Sequence, residues 1–126
     1  MSAARLALTA LLVPDYDEAI AFFRGLGWRV ATDDDQGAKR WVTVLPPGGG
    51  GGLVLARADG AQRAAVGRQF GGRVGLFLHT GDFAHDAARI VAAGGVFEET
   101  PRDEPYGRVA VWRDPWGNRW DLIEPR

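Results

Sequence analysis

The chain carries one ordered set of signals twice, and this limits the folds open to it more than any other feature. Val13-Pro-Asp-Tyr-Asp-Glu-Ala-Ile-Ala-Phe-Phe-Arg-Gly-Leu-Gly27 returns 67 positions later as Thr80-Gly-Asp-Phe-Ala-His-Asp-Ala-Ala-Arg-Ile-Val-Ala-Ala-Gly94. Asp15 falls on Asp82, Tyr16 on Phe83, Phe23 on Ile90 and Gly27 on Gly94. Farther on, Arg40-Trp-Val-Thr-Val-Leu-Pro-Pro47 stands opposite Arg108-Val-Ala-Val-Trp-Arg-Asp-Pro115 at a spacing of 68. A repeated unit of this kind cannot bury its apolar face alone and needs its copy.

The unit is readable. An apolar run over 6–13 suits a buried strand. Asp15 or Asp17 can cap a following helix with an apolar stripe of Ala19, Ile20, Phe22, Phe23 and Leu26, and Gly27 stops it. Strands are predicted over 28–31, 40–45 and 53–56. The second half repeats the plan with a strand at 74–80, a helix at 83–93, a Gly94-Gly95 stop, and strands at 96–99, 108–112 and 119–124. Each half is therefore βαβββ. The expected fold is α+β within one domain, with module one over 6–57, a linker over 58–72 and module two over 73–125. A helix covers one face of each sheet, and the two open faces can then enclose a shared concavity.

Composition narrows the function. The 126 residues include 15 basic and 16 acidic side chains, for a net charge of −1, which argues against nucleic-acid binding. With no cysteine, disulfides, thiolate metal sites and cysteine nucleophiles are excluded. Histidine occurs only as His79 and His85. The early apolar run is too short to span a bilayer and lacks a cleavage signature, so a soluble, cytoplasmic protein is expected. The glycine run at 48–52 reads as a hairpin connection or a lip over a pocket.

The motif order, the opening Val13-Pro-Asp…Ala-Phe-Phe-Arg-Gly-Leu-Gly-Trp28 and the closing Tyr106-Gly-Arg-Val-Ala-Val-Trp-Arg-Asp-Pro-Trp-Gly-Asn-Arg-Trp-Asp-Leu-Ile-Glu124 resemble the vicinal oxygen chelate superfamily. This group holds glyoxalase I, bleomycin-resistance proteins, fosfomycin-resistance enzymes and extradiol dioxygenases. The resemblance implies two βαβββ modules forming a half-open, barrel-like concave sheet of the glyoxalase/bleomycin-resistance type. It also implies a homodimer, because short chains of this group often pair to enclose their cavities. Enzymes of the group hold a divalent metal through His, Glu or Gln on the first and last strands of each half. The matching positions here are Leu8, Val54, Gly75 and Asp121. Three of the four cannot coordinate through a side chain, so no metal and no cofactor are expected in that arrangement.

The expected activity is metal-independent binding of a small, partly apolar ligand. The alternative is a lyase, isomerase or dioxygenase, either metal-dependent or using His79 and Asp121 as an acid/base pair. Strand periodicity places Phe77 and His79 on the side of Gly75, and Ile123 on the side of Asp121. Arg40 can grip an anion, Trp41 or Trp116 can stack on a ligand, and the Tyr106 hydroxyl can reach the pocket mouth. The candidate ligand-binding residues are thus Arg40, Trp41, Phe77, His79, Tyr106 and Asp121. In the linker, Gln69 and Phe70 are further possible contacts.

Overall fold

A computed structural model describes residues 3–126. The elements run β1 (Leu8–Val13), α1 (Tyr16–Gly25), β2 (Arg29–Asp35), β3 (Arg40–Leu45), β4 (Gly52–Arg57), a 3-10 turn (Gly60–Ala65), β5 (Val74–His79), α2 (Phe83–Ala93), β6 (Val96–Phe97), β7 (Arg102–Glu104), β8 (Gly107–Arg113) and β9 (Arg119–Pro125). The first half forms a four-stranded sheet ordered β1-β4-β3-β2. The second forms a sheet ordered β5-β9-β8-β6, with β7 also on β8. In each, the first strand runs parallel to the last, β1 with β4 and β5 with β9. Strands β6 and β7 are two pieces of one interrupted edge, since both pair antiparallel with β8.

Equivalent residues start and stop the two helices. The Asp15 carboxylate accepts the Glu18 N–H (2.8 Å), and the Asp82 carboxylate accepts the His85 N–H (3.1 Å). Gly27 and Gly94 take φ of 85° and 112°, in the left-handed region where glycine ends a helix at least cost. Strand β2 extends beyond its predicted end into Asp33, Asp34 and Asp35, residues with low strand propensity. Cross-strand partners hold it: Thr32 bonds Thr43, and Arg40 clamps Asp33.

Strand alternation decides which face is buried. Leu11, Val13, Val42, Val44, Leu53 and Leu55 of the first sheet join Trp112, Trp120, Ala110 and Leu122 of the second in one cluster with both helices. Phe22 of α1 lies 6.3 Å from Trp112, and Phe23 lies 6.2 Å from Trp120. Trp112 and Trp120 stack at 4.9 Å. Because α1 reaches β8 and β9, the helices lie between the sheets. The sheets are half-open as expected, and side chains of both, Leu8 and Leu53 of the first and Phe77 and Trp120 of the second, line one crevice. The aromatic contacts across α1 tie the second sheet to the first helix.

The Asp114–Asn118 turn closes the second module. The Asp114 carboxylate accepts the backbone N–H groups of Trp116, Gly117 and Asn118, the Asn118 side-chain amide and Trp120 Nε1. Burial pushes this carboxyl up, and the donors around it pull it down.

Candidate functional site

On the second sheet, alternation that sends Leu76, Leu78, Trp112 and Trp120 to the core sends Phe77, His79, Val111 and Asp121 outward. The register sets two cross-strand rows. In one, Phe77 pairs with Asp121, which pairs with Val111. In the next, His79 pairs with Ile123, which pairs with Val109. Phe77 is 62% exposed, whereas Val109, Val111 and Ile123 are buried.

The segment between β6 and β7 supplies the charged border of this face. Glu99 accepts the Val111 N–H (2.8 Å) and Arg102 Nε (3.0 Å), and Arg102 also donates to Glu104 (2.8 Å). The Val111 N–H and Arg102 hold the Glu99 carboxyl below its ordinary range. On the other flank Arg119 donates both ends of its fork to Glu98 (2.9 Å each), lowering the Glu98 carboxyl. Asp121 has no such partner. Its Oδ1 is buried and no donor reaches it among the described residues. Burial raises the Asp121 carboxyl, with Glu99 adding to the rise and Arg102 and Arg119 opposing it. A buried acceptor without a donor costs about 1–3 kcal/mol, and folded proteins keep few of them.

A crevice of about 520 Å³ adjoins the β5 edge, and Phe77 and His79 line it as well. Its floor is Leu26, Trp28, Ile90 and Trp120, and the loop carrying the glycine run forms one side. The lip expected at 48–52 therefore does border a pocket.

The predicted ligand-contact residues separate. Phe77 and Asp121 come together directly. His79 stands one row away, opposite Ile123, and makes no hydrogen bond to Asp121, so the acid/base couple is not assembled. Trp41 lies outward on the first sheet at 41% exposure, opposite Asp34. Arg40 leaves the outward set altogether. It points to the helix side, bonds Asp33 (2.8 Å) and Asp17 (3.1 Å), and lies over the Tyr16 ring. Its pairing with two carboxylates explains the departure from the anion-gripping role. Tyr106 sits in the exposed β7–β8 turn. Trp116 packs on Phe22 and bonds Glu18 through Nε1, so it is not an outward wall.

In the linker, Gln69 bonds the β1 edge by accepting the Leu12 N–H (2.7 Å) and donating to the Ala10 carbonyl (2.9 Å). The Phe70 ring covers Gly75 so closely that a Cβ there would lie 2.1 Å from it. Glu99, Arg102 and Val111 were missed from sequence. Alternation along 107–113 was the available signal for Val111, but nothing local marked the return of the 98–104 segment.

A metal finds few donors here. Leu8 and Val54 lie outward on the first sheet and Asp121 on the second, while Gly75 falls in an irregularity of β5 beneath the Phe70 ring. Among the described residues no three His, Cys, Asp or Glu side chains gather in a geometry that holds an ion. The family's metal arrangement does not fit these residues.

Residues 5–122 match the sequence family described as the Glyoxalase/Bleomycin resistance protein/Dioxygenase superfamily. An uncharacterized protein of Shewanella frigidimarina is 47% identical over 120 residues, covering 91% of this chain and 89% of that protein. The crystal structure of UcmS2 superposes with a TM-score of 0.80 at 30% identity, covering 98% of this chain and 99% of its own. That of TnmS3, described as an antibiotic binding protein from a Streptomyces species, gives 0.77 at 29% identity, covering 100% and 99%. No helix among the described residues is long and apolar enough to cross a membrane.

Proposed function

The chain belongs to the glyoxalase/bleomycin resistance protein/dioxygenase superfamily, and from that premise we propose that it is a metal-independent binding protein for a small, partly apolar molecule, working as a homodimer. The observation that carries this reading is the side-chain set Leu8, Val54, Gly75 and Asp121, where metal-holding relatives present donors. One carboxylate among apolar residues does not retain a catalytic cation. The same set makes an apolar wall with one polar anchor, the usual make-up of a small-molecule pocket. The likeness to an antibiotic binding protein supports sequestration as the activity.

The exposed outer sheet surfaces support the homodimer. A two-fold axis that brings the Leu8–Val54 face of one copy over the Phe77–Asp121 face of the other covers both and makes two equal pockets. An apolar ring as exposed as Phe77 is otherwise a liability.

The test combines three measurements. Elemental analysis of dialysed protein is expected to find no stoichiometric divalent metal. Fluorescence titration against a small-molecule panel is expected to quench the exposed Trp41. Sedimentation is expected to give twice the 13.6 kDa of one chain. One tightly held divalent ion per chain would turn the assignment toward the superfamily's enzymes. A panel with no response would leave only a structural role.

A further inference from the structure

The outward side of the second sheet holds one unmatched charge. Around Asp121 the other ionic groups are paired off: Arg102 with Glu99 and Glu104, and Arg119 and Arg113 with Glu98. Those carboxylates and guanidiniums balance, and Asp121 remains as the excess negative charge. Its Oδ1 has no donor among the described residues. Directly opposite, Phe77 presents a ring that is 62% exposed, and Val111 flanks the other side. An unused anionic acceptor beside an open apolar surface selects the converse pair of features in one molecule, a cationic N–H donor carried on an apolar body.

We propose that the ligand of this face is an amphipathic amine, its ammonium received by the Asp121 carboxylate and its aromatic body laid against Phe77. The proposal rests on the small-molecule reading above and adds the sign of the ligand's charge. A carboxylate ligand is rejected here by Asp121, because Arg102, Arg113 and Arg119 are already committed. A neutral ligand meets the apolar wall but leaves the charge unmatched. A charge-assisted N–H bond in this partly dehydrated setting is stronger than its neutral counterpart.

Calorimetry on the full chain with 1-naphthylmethylamine, 1-naphthylmethanol and 1-naphthylacetate tests this directly. The amine is expected to bind about tenfold or more tightly than the alcohol, and the acetate weakest of all. Asp121→Asn, which keeps the side-chain shape, is expected to erase the preference for the amine. Phe77→Ala, at an exposed position, is expected to weaken the amine and the alcohol alike. The wild-type ranking is decisive even if the Asp121 variant does not fold. Alcohol or acetate binding as tightly as the amine overturns this inference and leaves the small-molecule reading standing. Failure of all three to bind overturns it too, and the small-molecule reading then stands or falls on the fluorescence panel.

Discussion

Along β1 and β4 the outward side chains are Leu8, Ala10, Leu12, Val54 and Ala56; along β5 and β9 they are Phe77, His79, Asp121 and Ile123. The two strand pairs share parallel pairing, position in the sheet and a helix on the inner side, yet one offers only hydrocarbon and the other a ring, an imidazole and a carboxylate. The inner faces differ less in kind, since both contribute apolar side chains to one cluster. The repeat therefore preserves what the helices pack on, while the outward side is free to diverge. That side is where specificity has to be sought.

The largest expected effect separates the inner from the outer side of the second sheet. Trp120→Ala opens the cluster and removes one of the donors to the Asp114 carboxylate, at a cost of about 3–5 kcal/mol. Phe77→Ala, on the neighbouring strand but outward, shifts stability by about 0.5 kcal/mol or less. Urea denaturation measures both, and similar losses would show that Phe77 is core and not ligand wall. A smaller effect is expected at the β1 edge, which the linker reinforces. Gln69→Ala removes two hydrogen bonds, costs roughly 1–3 kcal/mol and speeds exchange of the Leu12 amide. Unchanged exchange at Leu12 would remove the linker as a support of the first sheet.

Asp121 gives a smaller effect with a definite sign. Burial raises its carboxyl in the folded protein, so its contribution is fully present below the ordinary carboxylate range and declines as pH rises through the raised folded value. Asp121→Asn should therefore melt higher than the parent at pH 7, with the gap closing below about pH 4. A parent that melts higher at neutral pH would mean that Asp121 is satisfied by a protein group. The smallest effect belongs to His79. His79→Gln is expected to leave both stability and amine selectivity unchanged, because it sits one row from Asp121. A selectivity change in the calorimetric series would restore the acid/base couple.

Much of the architecture is legible from residues that act locally. Asp15, Asp82, Gly27 and Gly94 bound the helices, and alternation in 107–113 and 119–125 assigns inner and outer faces. Counting in twos gives Phe77 and Asp121 their faces on β5 and β9, and the register makes the two direct partners, which the sequence did not indicate. What escaped depends on contacts distant in sequence. Arg40 was drawn away by Asp17, 23 positions earlier. Trp116 was captured by Glu18, 98 positions earlier. The joining of the two halves rests on Phe22 and Phe23 meeting Trp112 and Trp120, contacts that no local pattern encodes.

That shared crevice has a consequence for how the protein would behave on dilution. Within one polypeptide a guest in the crevice meets both halves, because Leu8 and Leu53 of the first sheet and Phe77 and Trp120 of the second line it together. In the homodimer proposed above, a second polypeptide would close the open side, and guest affinity would become a function of protein concentration. Guest and second chain stabilise each other's attachment by the same free energy.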